Sequence, residues 1–179
     1  MNELLETPNQ AERSRSSGLE AAEYLAIPMD VSLWVSKRQL RRWVEDSVES
    51  LNWASPKLAE LIRRHPESEV KALFCTLTLA YLTGNFSGEE IVEAAARDAE
   101  FRAIRPAAPP RPEELTAFRR LHRGLLKQAL ADVLCKVVKA RFAEDSDRPL
   151  LSSQLRRAIF ENAVERLNIA RHMDRGAEA

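Results

Sequence analysis

Apolar side chains recur along this chain at intervals of three and four residues, the spacing that gathers them on one face of an α-helix. Leu40, Trp43, Val44, Val48 and Leu51 form one such stripe, with Ser36 placed as its N-cap. The pattern predicts a helix from about Ser36 to Leu51, its wet face carrying the i,i+4 pairs Arg41–Glu45 and Arg42–Asp46. Ser55-Pro56 then gives a cap followed by proline at the first helical position, so a short helix should reach Arg64 and stop before Pro66. From Glu67 to Thr83 apolar residues cover every face, with Lys71 the only charge between positions 70 and 82. That predicts a helix buried all round at the centre of the core, ended by Gly84.

Ser87-Gly-Glu-Glu90 reads as a capping box, and the helix behind it carries Ile91, Val92, Ala95, Ala96 and Ala99. Four prolines between Arg105 and Pro112 exclude helix interior and mark a stiff connector. Pro112, Glu113 and Glu114 suit a helix start, and a long helix should follow as far as Phe142. Leu115, Phe118, His122, Leu125, Ala129, Val133 and Val137 mark one of its faces. After a polar turn over Glu144–Pro149, a last helix is expected from about Ser152 to Arg171, with Leu155, Ile159, Ala163, Leu167 and Ala170 inward. Residues 1–18 read as a flexible tail and 172–179 as a frayed one. Residues 19–35 are mildly apolar and broken by Pro28, with room for a short helix or two. No segment keeps the two-residue alternation of a strand. The expectation is therefore an all-α fold: one domain over 19–171, a multi-helix bundle of about six to seven helices with a proline-rich connector.

Composition agrees with that picture. A chain of 179 residues that is 45% hydrophobic can bury a sizeable core, and only five glycines interrupt it. Lys+Arg and Asp+Glu both total 27, so the chain lacks the strong positive balance of a dedicated nucleic-acid-binding domain. The charge is uneven, with a net of −4 over residues 1–110 (13 basic, 17 acidic) and +4 over 111–179 (14 basic, 10 acidic). Cys75 and Cys135 each lie in an apolar helical run and fit neither a disulfide framework nor a zinc spacing, so two buried free thiols are expected. Glu3, Glu6 and Glu12 replace the apolar stretch of a secretory leader. The longest apolar run, Ala72–Leu82, falls far short of the ~20 residues that span a bilayer. These features lead to an expected soluble, cytoplasmic protein with no membrane partner.

Candidate chemistry is sparse. His65 lies at a helix end, His172 in the expected tail, and His122 on an apolar face where a packed histidine is the simpler reading. No His, Cys or carboxylate spacing suits a metal, and Asp145 and Asp147 lack the glycine and closing glutamate of a calcium loop. There is no phosphate-binding glycine loop and no nucleophile elbow. The expectation is no enzyme, no cofactor and no metal.

A basic face remains. On one continuous helix, Arg119, Arg120, Arg123 and Lys127 would share about 100° of arc, with Thr116 pointing the same way and Arg111 just ahead. Arginines on the early half of a helix can reach guanine edges or phosphate oxygens in a DNA groove. The alternative is an ordinary solvated face of a core helix.

Three segments extend this picture: Leu79-Ala-Tyr-Leu-Thr-Gly84; Ser87-Gly-Glu-Glu-Ile91 with Asp98-Ala-Glu-Phe-Arg102; and Pro112-Glu-Glu-Leu-Thr-Ala-Phe-Arg119. Together, over about Glu69–Val138, they resemble the helical N-terminal domain of insertion-sequence transposases, which precedes an RNase-H-like Asp-Asp-Glu catalytic domain. Phe118 and Arg119 match the family's helix start, whereas Glu113 and Glu114 stand where it has small polar residues or histidine. The resemblance implies a DNA-binding or regulatory role without the catalytic half, with DNA as a partner. An interaction or oligomerisation module, pairing with itself or with a full-length transposase, is the alternative.

Overall fold

The helix predicted to be buried on all sides sits at the centre. Val70, Phe74, Leu77, Leu79, Ala80, Tyr81 and Leu82 are each at most 1% exposed, because other helices of the same chain cover them from several directions. The computed structural model describes residues 26–142 and 153–177. Among these, eight α-helices follow a 3-10 turn at Val31–Leu33: α1 Lys37–Glu49, α2 Pro56–Arg64, α3 Glu67–Leu82, α4 Gly88–Arg97, α5 Ala99–Ile104, α6 Pro112–Leu121, α7 Arg123–Phe142 and α8 Ser153–Ala177. The described residues contain no strand; Asp30 and Thr83 meet in one isolated antiparallel bridge. The fold is thus an all-α bundle, with α3 against α1, α5, α7 and α8 and with α7 lying along α8. The expected tail at 1–18 and the turn at 144–149 fall outside the described residues.

The caps sit where the sequence places them. Ser36 Oγ accepts from Gln39 N at 3.2 Å, and Ser87 and Glu90 exchange both bonds of a capping box at 3.1 and 3.0 Å. Gly84 ends α3 with φ +79°, a left-handed conformation that glycine adopts at no steric cost, while Asn85 N bonds back to Ala80 O at 2.9 Å. Ser55 opens α2 by backbone conformation alone, its buried hydroxyl making no cap bond.

Three boundaries differ from the expectation, and two of them raise the helix count. The helix behind Ser87 breaks at Asp98, whose carboxylate caps α5 by accepting from Glu100 N and Phe101 N. Lys37 also donates to Asp98, at 2.8 Å, and Arg41 to Glu100 at 2.7 Å, so the break is fastened to α1. The long helix from Pro112 bends at His122, which ends α6 with ψ 20° and whose carbonyl accepts from Leu125 N and Leu126 N at the start of α7. Gly124 lies two residues on and weakens the helix locally. Third, α8 does not fray at 172: it continues to Ala177, because Asp174 lies inward on it and is 7% exposed.

Cys75 is buried, and Cys135 is half-buried rather than fully so. Desolvation, then Glu45 and Glu49, push the Cys75 thiol pKa up to about 12. Trp34, Trp43 and Trp53 lie partly buried against the core.

Candidate anion-binding cleft

Two buried arginines organise the ground on which any site must stand. Arg166 is 0% exposed at an apolar place in the inward row of α8, and among the described residues it forms no ion pair, Glu165 and Asp30 acting on it only through their charge. It instead donates to three backbone carbonyls: Met29 O at 2.7 Å, Pro28 O at 2.6 Å, and Tyr81 O at the end of α3. These carbonyls belong to the negative end of a helix and to a non-helical segment beside it, which suits a cation. Burial draws the guanidinium pKa down to about 10, leaving it charged at neutral pH. Asn162 Oδ1 accepts from its Nε at 2.9 Å.

Arg119 is the second. It is 5% exposed and forms an ion pair with Asp174 of α8. Its Nη1 also donates to Phe86 O at 2.7 Å and to the Tyr81 hydroxyl at 3.4 Å. Thr116 Oγ1 donates to Asp174 Oδ1 at 2.8 Å. One cluster thereby joins α3, the α3–α4 loop, α6 and α8.

Above this cluster lies a cleft of about 380 Å³ lined by Tyr81, Arg119, Arg120, Arg123, Leu167, Ala170, Arg171 and Asp174. Arg120 comes from α6, Arg123 from α7 and Arg171 from α8. Arg123 is aimed by two bonds, from Nη1 to Leu167 O at 2.9 Å and from Nη2 to Asn168 Oδ1 at 2.8 Å, neither to a carboxylate. The one carboxylate among the lining residues, Asp174, is already held by Arg119. Among the described residues the lining carries four arginines and one aspartate. An adjoining cleft of about 370 Å³ shares Arg120 and Asp174 but is rimmed by Glu89 and Glu113.

The six residues expected to contact DNA therefore part company. Arg120 and Arg123 reach the cleft. Arg119 is in its floor, buried and paired, so it cannot enter a groove; it lies on an inner row with Leu115 and Phe118 rather than on the expected exposed face. Thr116 is spent on Asp174. Arg111 is exposed at the start of α6 but closes on Glu114, with Nη2 to Oε1 at 2.8 Å. Lys127 lies over the Phe160 ring, 4.7 Å from its centroid. The bend at His122 means these groups do not share one continuous helical face. Arg171 was missed, because it comes from a different helix. Phe118 and Arg119 are both buried, Phe118 packing on Phe74 and Arg119 holding Asp174 and Phe86 O.

A second polar cluster invites a catalytic reading. Ser47 donates to Asp132, and Lys136 Nζ lies 3.1 Å from Ser47 Oγ. Ser47 is 3% exposed inside α1, and Asp132 contacts both partners, so the trio fastens α1 to α7. Among the described residues no group of three His, Cys, Asp or Glu side chains is placed to hold a metal, and no helix is long and apolar enough to cross a membrane. His122 packs its ring against Phe74 and Phe118, at centroid distances of 5.8 and 4.6 Å. Desolvation, with a smaller effect of Lys57, lowers its pKa. Comparison with protein-family models, curated proteins and solved structures finds no match to this chain.

Proposed function

We propose that this protein acts by binding rather than by catalysis, and that it binds nucleic acid through phosphate groups at the arginine cleft. The observation that carries this reading is the convergence of Arg120, Arg123 and Arg171 from three helices on one concavity where, among the described residues, the one carboxylate is already taken by Arg119. Guanidinium groups suit phosphate oxygens because their planar N–H donors meet two oxygens at once. The cleft offers charge but no histidine, cysteine or pair of carboxylates, which supports association over chemistry. The transposase resemblance supports DNA as the polyanion and a regulatory role beside it. The two free thiols support a reducing compartment such as the cytoplasm.

The test is fluorescence anisotropy with labelled random-sequence duplex DNA at low and moderate salt. Affinity should fall steeply with salt, and Arg171→Glu together with Arg120→Glu should abolish it. Binding that ignores both the salt and the charge reversals would refute the reading.

Protein association is a second reading, favoured by Leu33 at 75% exposure and by Phe142, whose ring meets Trp34 edge-on at 6.1 Å. The all-round apolar α3 does not speak for it, since the chain covers that helix itself. Association would show in sedimentation as a dimer that Leu33→Glu dissociates.

A further inference from the structure

We propose that the arginine cleft is a pocket for a terminal phosphomonoester, the dianionic end of a strand, rather than a track for the phosphodiester backbone. The inference rests on the nucleic-acid reading above and sharpens it. Its first support is shape. A volume of about 380 Å³ is that of a small-ligand pocket, near the lower end of the roughly 300–1,000 Å³ such sites span. A backbone running past would meet a stripe of cations along a surface; here the cations surround a hollow.

The second support is the direction of the donors. Arg120, Arg123 and Arg171 approach from three helices, so one bound group meets charge on three sides. A monoester presents three non-bridging oxygens and a single substituent, which can leave through the mouth. A diester presents two such oxygens and two substituents, which would both have to pass the rim.

The floor gives the third. Tyr81 is fully buried, and its hydroxyl accepts from Arg119 Nη1 at 3.4 Å while donating to no described residue. A buried tyrosine hydroxyl ordinarily finds an acceptor. A phosphate oxygen seated in the cleft supplies one. Asp174 would repel an anion, but Arg119 and Thr116 hold both its oxygens.

A ligand that binds the folded chain and not the unfolded one stabilises the fold, so a bound phosphate should raise the thermal midpoint. Arg171 makes no bond to a described residue and is exposed, so Arg171→Gln tests the site without disturbing the core. Arg123→Gln is the second variant.

Two 3′-labelled duplexes of the same sequence, one 5′-phosphorylated and one 5′-hydroxyl, are titrated with the full chain. Inorganic phosphate is tested separately for its effect on the thermal midpoint. The phosphorylated duplex should bind about tenfold more tightly or better, the scale of one charge-assisted contact. Arg171→Gln and Arg123→Gln should each shrink that ratio towards one. Inorganic phosphate should raise the midpoint of the wild type and not of Arg171→Gln. Equal, salt-sensitive binding of the two duplexes would overturn the terminal-phosphate pocket and leave the nucleic-acid reading standing. No binding of either duplex, with the phosphate-dependent midpoint shift intact, would overturn the nucleic-acid reading and leave a phosphomonoester site for a small molecule. No shift and no discrimination would overturn the pocket itself.

Discussion

Arg119 and Asp174, 55 residues apart in sequence, form a buried ion pair in which Arg119 Nε donates to Asp174 Oδ2 at 2.9 Å and neither residue is more than 7% exposed. The pair fixes the end of α8 against α6 and so sets the floor of the cleft. Removing one partner strands the other charge away from water, which costs about 3–5 kcal/mol. Asp174→Leu alone should therefore destabilise the protein by that amount in urea unfolding. Arg119→Met with Asp174→Leu should recover most of the loss. A double variant no better than the single would show that the bonds to Phe86 O and Thr116, rather than the charge pair, hold this corner.

Arg166 satisfies three carbonyls from two separate segments. Arg166→Met should cost about 3–5 kcal/mol, since hydrogen bonds from a charged donor are each worth roughly 1.5–3 kcal/mol and the acceptors stay buried. Arg166→Lys should restore less than half, because a single ammonium cannot reproduce the span of the guanidinium fork. Wild-type stability in the lysine variant, by thermal and urea melts, would contradict this account.

Two glycines should answer oppositely to alanine. A Cβ on Gly88 would lie 2.8 Å from Pro112 Cβ and 2.9 Å from Pro112 Cα, so Gly88→Ala must push α4 and α6 apart. A loss of about 1–3 kcal/mol is expected. At Gly124 an added Cβ meets nothing within 4 Å, so Gly124→Ala should stabilise α7 by about 0.5–1 kcal/mol. Paired urea melts decide both.

His122 gives a pH dependence. The folded state disfavours its protonation, chiefly through burial, while the unfolded chain protonates near 6.5. Its contribution is fully present above that pH. It is lost as the pH falls from about 6.5 towards the lowered folded value. The thermal midpoint should decline over that window, and His122→Gln should flatten the decline. Identical pH profiles for the two proteins would remove His122 from the account.

The helical class, the central α3 and the caps at Ser36, Ser87 and Gly84 were legible because they depend on neighbours in sequence. The bend at His122 was not, since Leu115, Phe118, Leu126 and Ala129 keep a helical spacing straight through it. Only Gly124 hints at the weakness. The cleft was half legible: Arg120 and Arg123 stand in one basic segment, but Arg171 arrives from α8 and Arg119 turns inward. A usable signal did exist in α8. Arg166 follows Ala163 by three, and Asp174 follows Ala170 by four, so both charges occupy apolar places in the inward row. A charge in such a place calls for a buried partner, yet its identity depends on packing between helices that spacing does not encode.

The bonds of Arg166 also bear on how the molecule is made. Arg166 follows Met29 by 137 residues and Tyr81 by 85. As the chain leaves the ribosome, Pro28 and Met29 emerge early and wait for a donor that is synthesised much later. The helices from α1 to α7 can gather around α3 in the meantime, and the Asp30–Thr83 bridge can form, but the carbonyls of Pro28 and Met29 lack their donor until α8 arrives. A released chain truncated before Asn162 should therefore be cut near Pro28 faster than the full-length chain.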